Sequence, residues 1–193
     1  MANNCYTTYV ITGTKGSVDN LMNALTKITT EVEHGNWQQL SALATHYGID
    51  YEKSDMHVRG DIYSFNIDEE DEGKLFIETD TAWLACTELF QSINGVLNNE
   101  LSISYREMEP GCEIYCVHDE GGHFPEECCV FAEGEDWDYC EDIIDTIDEV
   151  IEEWCSSMNF DRGSRSQKEM VELINSYEYD DDSYFTIYPF KKE

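Results

Sequence analysis

Apolar residues along this 193-residue chain recur with two periods, and the switches between them outline the expected elements. Residues 5–12 are rich in Tyr, Thr, Val and Ile and stop at Gly13, which predicts a strand. Val18, Leu21, Met22, Leu25 and Ile28 then recur every three or four positions, which predicts a helix with Ser17 as its N-cap. Residues 37–47, with Leu40, Leu43 and Ala44 on one face, predict a second helix ended by Gly48. Residues 61–67 and 75–79 predict a hairpin around the acidic turn 68–73. Thr81 is expected to open a third helix carrying Leu84, Leu89, Phe90 and Ile93. Strands are expected over 101–107 and 113–118, across a turn at Pro110-Gly111, and again over 127–132.

The C-terminal third has the clearest periodicity. Trp137, Cys140, Ile144, Ile147, Ile151, Trp154 and Met158 are spaced by three, four or seven, which predicts one amphipathic helix of about 22 residues, about 33 Å long. Ser166-x-x-Glu169 is a capping-box signature for a short helix over 166–176, and 184–188 would be a closing strand. The pattern predicts an α+β fold, an antiparallel sheet packed by helices. Its expected parts are a domain over 1–133 and an acidic helical extension over 134–193, divided at the charge shift near Gly134 and packed on the same core.

Charge changes the picture more than composition does. The net charge of −31 would suit a disordered chain, but 41% hydrophobic and 12% aromatic residues spread along the length argue for a packed core. Such acidity speaks against direct nucleic-acid binding and against anionic membrane surfaces, and favours basic proteins as partners. No stretch approaches 18 apolar residues and no basic leader precedes an apolar one, so the expected location is cytoplasmic. Eight cysteines are then expected as reduced thiols. Oligomeric state is not legible.

Short motifs add a resemblance. Asn3-x-Cys5 leading into Val10-x-Thr12-Gly13, then Tyr47-Gly48, Thr81-Ala82-Trp83 and Glu109-Pro110-Gly111, follow in order over residues 1–133. That part resembles the Api92-like (YubB-type) proteins of phages, plasmids and other mobile elements. The resemblance implies a ferredoxin-like sheet packed by helices and a setting in which small proteins act on host machinery. It implies no chemistry. Two departures stand: Tyr47-Gly48-Ile49-Asp50-Tyr51 replaces Trp-Gly-x-Lys-Trp, and Leu84-Ala85 replaces a Pro-Pro pair.

Candidate chemistry is sparse. Cys112, Cys116, His118 and His123 are the nearest approach to zinc-ligand spacing, without a clean Cys-x2-Cys pair, so no metal and no cofactor is expected. Asp68, Glu70, Glu72 and Gly73 imitate a calcium loop but lack its closing acid, and a hairpin turn explains them. Familiar catalytic motifs are missing and no enzyme is expected. Trp83, Trp137 and Trp154 are expected in the core.

One feature stands above background: no Lys or Arg occurs between Arg106 and Arg162. In the expected long helix, Asp138, Glu141, Asp142, Asp145, Asp148, Glu149, Glu152 and Glu153 would form a polyanionic face. One charge per roughly 3 Å of axis approaches the density of single-stranded nucleic acid. Like charges four apart cost a helix a few tenths of a kcal/mol each, so a purely solvating face would mix signs. The expected function is a non-enzymatic DNA or RNA mimic, an inhibitor occupying the basic groove of a nucleic-acid-handling defence protein. The alternatives are an immunity or antitoxin-type protein for one cationic toxin, or a zinc-supported domain.

Overall fold

A computed structural model of the chain describes residues 3–134, 143–179 and 183–192. The fold is α+β and divides into two compact units, Met1–His123 with Lys192–Glu193, and Phe124–Lys191.

In the first unit the strands are β1 (Asn4–Gly13), β2 (Gly60–Ile67), β3 (Lys74–Ala82), β4 (Leu101–Glu109) and β5 (Ile114–His118). Their order is β2-β3-β1-β4-β5, with the two-residue β9 (Lys191–Lys192) in the sixth place. Each of the four pairings among β1 to β5 is antiparallel. Alternation along β1 buries Cys5, Thr7, Tyr9 and Ile11 on one face. Against it pack α1 (Lys15–Glu31), α2 (Gln39–His46) and α3 (Thr87–Val96), through Val18, Leu21, Leu25 and Ile28, then Leu40 and Leu43, then Leu89, Phe90 and Ile93. Tyr9 and Phe90 meet at 4.4 Å between ring centres.

Several expected boundaries move, each for a local reason. The N-cap of α1 is Thr14, whose hydroxyl accepts the N–H of Ser17, so Ser17 lies inside the first turn. Thr81 and Ala82 finish β3, paired with Cys5 and Asn4, and α3 begins only at Thr87. Trp83 sits in the intervening turn with φ +73° and is 47% exposed, not in the core. Pro110–Cys112 is a single 3-10 turn and Glu113 follows it with φ +54°, so β5 begins at Ile114, one residue later than expected.

The second unit holds β6 (Glu127–Glu133), β7 (Ile143–Thr146), α4 (Ile147–Ser157), α5 (Gln167–Asn175) and β8 (Tyr184–Pro189). β6 is the central strand of the antiparallel sheet β7-β6-β8. The chain therefore divides at 123/124, ahead of the charge shift near Gly134, because β6 pairs with strands that follow it. This unit has a core of its own: Cys128, Val130 and Ala132 from β6, Ile147, Val150, Ile151 and Trp154 from α4, Met170 and Ile174 from α5, and Phe185 and Ile187 from β8. Trp154 is fully buried and its indole N–H donates to Tyr179 Oη at 2.8 Å.

The long acidic helix needs correction. Residues 143–146 are a strand, with Ile144 opposite Cys129, and the helix runs only over Ile147–Ser157. Two adjacent β-branched residues suit a sheet better than a helix interior. Thr146 then ends the strand and caps the helix, its hydroxyl accepting the N–H of Glu149. Thr146-x-x-Glu149 is the same signature as Ser166-x-x-Glu169, which forms the full capping box of α5. Trp137 lies outside the described residues. Among those described, no helix is long and apolar enough to cross a membrane.

Candidate binding surface

The acidic positions fall into three groups once the fold is known. Asp138, Glu141 and Asp142 lie outside the described residues. Asp145 belongs to the edge strand β7, where its carboxylate accepts the N–H of Thr146 at 2.7 Å. Asp148, Glu149, Glu152 and Glu153 are exposed on α4, opposite the stripe of Ile147, Val150, Ile151 and Trp154.

Two of these four have structural work. Asp148 and Glu149 occupy the first turn, where the partial positive charge of the helix end favours carboxylates. Asp148 also pairs with Arg162 at 3.0 Å, so the span's flanking cation folds back onto it. Glu149 meets the Thr146 hydroxyl in the cap. Glu152 and Glu153 are past that turn and exposed, and each repeats the charge four residues earlier. The acidic face of α4 is thus one short helix of 11 residues, about 16 Å, and not a rod at nucleic-acid charge spacing.

Two other acids of the basic-free span are turned to the fold rather than to solvent. Glu109 is fully buried, and one of its oxygens accepts the N–H of Cys112. Glu107 accepts from the N–H of Ala85 at 3.1 Å and from the thiol of Cys5 at 3.9 Å. Glu113, Glu120, Glu126 and Glu133 are exposed.

The four metal candidates are scattered in role. Cys112 is exposed on the 3-10 turn, and the Glu109 carboxylate beside it holds its thiol pKa up. Cys116 and His118 share the less buried face of β5, where His118 stacks on Tyr105 at 5.5 Å. His123 folds against Gly121. Among the described residues no group of three or more His, Cys, Asp or Glu could hold a metal ion. Burial pushes the thiols of Cys5, Cys86 and Cys128 up to about 12, which keeps them protonated and weak as nucleophiles.

The calcium-like loop is a hairpin turn built from its own acids. Asp68 accepts the N–H of Glu70, Asp71 accepts the N–H of Gly73, and Lys74 and Lys15 pair with Asp68 and Glu72 at 3.5 and 2.9 Å.

Sequence reasoning missed one polar site altogether. Asp61, 3% exposed at the start of β2, accepts four backbone N–H groups: Gly35 and Trp37 on Oδ2, Gln38 and Gln39 on Oδ1. Its carboxylate fills the N-terminal end of α2, as a bound anion would. Across the ladder, burial and then the nearby Asp61 charge push the pKa of Asp80 up. No protein-family model matches the chain, and no curated protein or solved structure is significantly similar to it.

Proposed function

We propose that this chain is a non-enzymatic acidic binding module whose partner is a basic protein that handles DNA or RNA. It acts as an inhibitor by placing carboxylates where the partner expects phosphates. The observation that carries this reading is the net charge of −31 together with a span from Arg106 to Arg162 that holds no other Lys or Arg. Exposed carboxylates of that span include Glu113, Glu120, Glu126, Glu133, Glu152 and Glu153, and these contribute to the negative surface that a cationic partner would meet. We further propose that the first unit is a ferredoxin-like domain of the Api92-like kind. Supporting this are the strand order β4-β1-β3-β2 and the placing of helices between β1 and β2 and between β3 and β4.

Electrostatic association of this type weakens steeply with salt. Immobilised full-length chain is expected to capture nucleic-acid-binding proteins from a host extract at about 50 mM salt and to lose them by about 200 mM, the range over which phosphate-reading proteins release DNA. Captured proteins are identified by mass spectrometry and then assayed for inhibition. Capture of none, or capture without any loss of their nucleic-acid binding, sinks the proposal.

A further inference from the structure

β2 closes one side of the larger sheet, and an edge strand presents backbone N–H and C=O groups that no neighbouring strand takes up. Elsewhere the fold closes such edges with a side chain. On β8, Asn175 clamps the backbone N–H and C=O of Ile187 through its amide, both at 2.8 Å. On β2, Gln39 Oε1 accepts the N–H of Ile62 at 2.9 Å. The cover then stops. The ladder with β3 shifts register between Ile62 and Ser64, and Tyr63 at the bulge is 74% exposed, the highest value among the exposed large hydrophobic residues described. Beyond it the pairing with β3 is regular to Ile67, with Ser64 and Asn66 exposed. Among the described residues, the only side-chain hydrogen bond to the backbone of 63–67 is Asn66 Nδ2 donating to its neighbour's carbonyl at 3.4 Å, long enough for an incoming strand to displace. β2 has neither Lys nor Pro, two residues by which natural edges discourage pairing.

Charge selects the occupant. The strand runs directly into the 68–73 turn, where Glu69, Glu70 and Asp71 are exposed and have no basic partner among the described residues. A second copy of this chain brings another −31 charges to the same edge and is repelled. A cationic strand is attracted.

We infer that residues 63–67 of β2 take up, by strand addition, an extended Lys- or Arg-bearing segment of the basic partner. Tyr63 is its apolar anchor, and the 68–73 turn meets its cationic side chains. This rests on the reading of the partner as a basic protein. Strand addition supplies main-chain hydrogen bonds without sequence demands, and side chains alternating along the added strand carry the charge selection.

The test uses the full chain and a ten-residue peptide alternating Lys and Val, at low salt, followed by amide hydrogen exchange. Expected is slowing of exchange by tenfold or more within 63–67. Tyr63→Asp is expected to weaken peptide binding at least tenfold. Glu69→Gln/Glu70→Gln/Asp71→Asn, which leaves Tyr63 intact, is expected to weaken it and to flatten its salt dependence. Peptide binding with protection elsewhere, or unchanged by both variants, overturns the inference while leaving the acidic-module reading intact. Capture of basic proteins from an extract without peptide binding does the same. Binding of neither peptide nor protein overturns both.

Discussion

Asp61 and Gln39 each satisfy backbone next to the other: Asp61 Oδ1 accepts the Gln39 N–H at 3.2 Å, and Gln39 Oε1 accepts the N–H of Ile62 at 2.9 Å. Gln39 also donates through Nε2 to the carbonyl of Val32 at 2.9 Å. Two buried polar side chains thereby tie the end of α1, the start of α2 and the edge strand β2 into one corner. That corner positions the uncovered part of β2.

Asp61→Ala leaves up to four inward-facing N–H groups without an acceptor, and each unpaired buried donor costs about 1–3 kcal/mol. Such losses are not additive, and a total of about 3–5 kcal/mol is expected. Asp61→Asn, which keeps one acceptor, is expected to lose less. Urea unfolding of each variant measures this. A loss under about 1 kcal/mol for the alanine variant would show that water replaces the carboxylate without cost.

The acids of α4 are expected to separate by position. Asp148→Asn and Glu149→Gln remove first-turn carboxylates, the Arg162 pair and a cap contact, and are expected to destabilise by about 0.3–1 kcal/mol each. Glu152→Gln and Glu153→Gln relieve like charges four apart and are expected to be neutral or slightly stabilising. For partner capture the order reverses, with the second pair weakening it more. Thermal unfolding beside capture at low salt checks both halves, and equal effects of the two pairs would refute the separation.

Gly13 and Gly60 are among the glycines fixed by contact with backbone. A Cβ on Gly60 would lie 2.7 Å from the Asp80 carbonyl oxygen, and one on Gly13 would lie 2.5 Å from that of Glu100. Gly13→Ala and Gly60→Ala are each expected to destabilise by about 1–3 kcal/mol, as overpacking does. Gly16→Ala, with nothing within 4 Å of its Cβ, is the matched control and is expected to stabilise α1 slightly.

Burial lowers the pKa of His57, whose Nε2 is enclosed with no hydrogen-bond partner among the described residues, against the opposing pull of its bond to the Ala82 backbone. The unfolded chain therefore takes up this proton first as pH falls. Its contribution to stability is whole above the unfolded value of about 6.5 and is lost as pH falls from there toward the folded value. His57→Gln is expected to remove that part of the pH slope between pH 7.5 and 5. Identical slopes in denaturant titrations of the two proteins would contradict the assignment.

How much was legible depended on distance along the chain. The strand ending at Gly13, the hairpin around 68–73, and the helix over 166–176 were all readable, because period and capping signals are local. The length of the acidic helix was misread because Ile144, Ile147, Ile151 and Trp154 keep helical spacing across a boundary. The last three are buried on α4, while Ile144 is half-buried on β7. Thr146-x-x-Glu149 marks that boundary in the sequence itself, but a long unbroken period overshadows it. Trp83 was misplaced for another reason: an apolar residue next to a strand end is ambiguous until the turn is known, and a positive φ aims it outward.

By itself, then, the chain determined its class, most of its elements, its overall acidity and the absence of basic residues between Arg106 and Arg162. Tertiary structure alone decided which acids meet solvent. Glu109 and Asp61 are buried, Asp148 pairs with Arg162, and Glu152 and Glu153 stay on the surface, although all five are the same kind of letter. A carboxylate's role follows from the donors around it. For Asp61 those donors come from residues as distant in sequence as Gly35, which no local pattern brings to it.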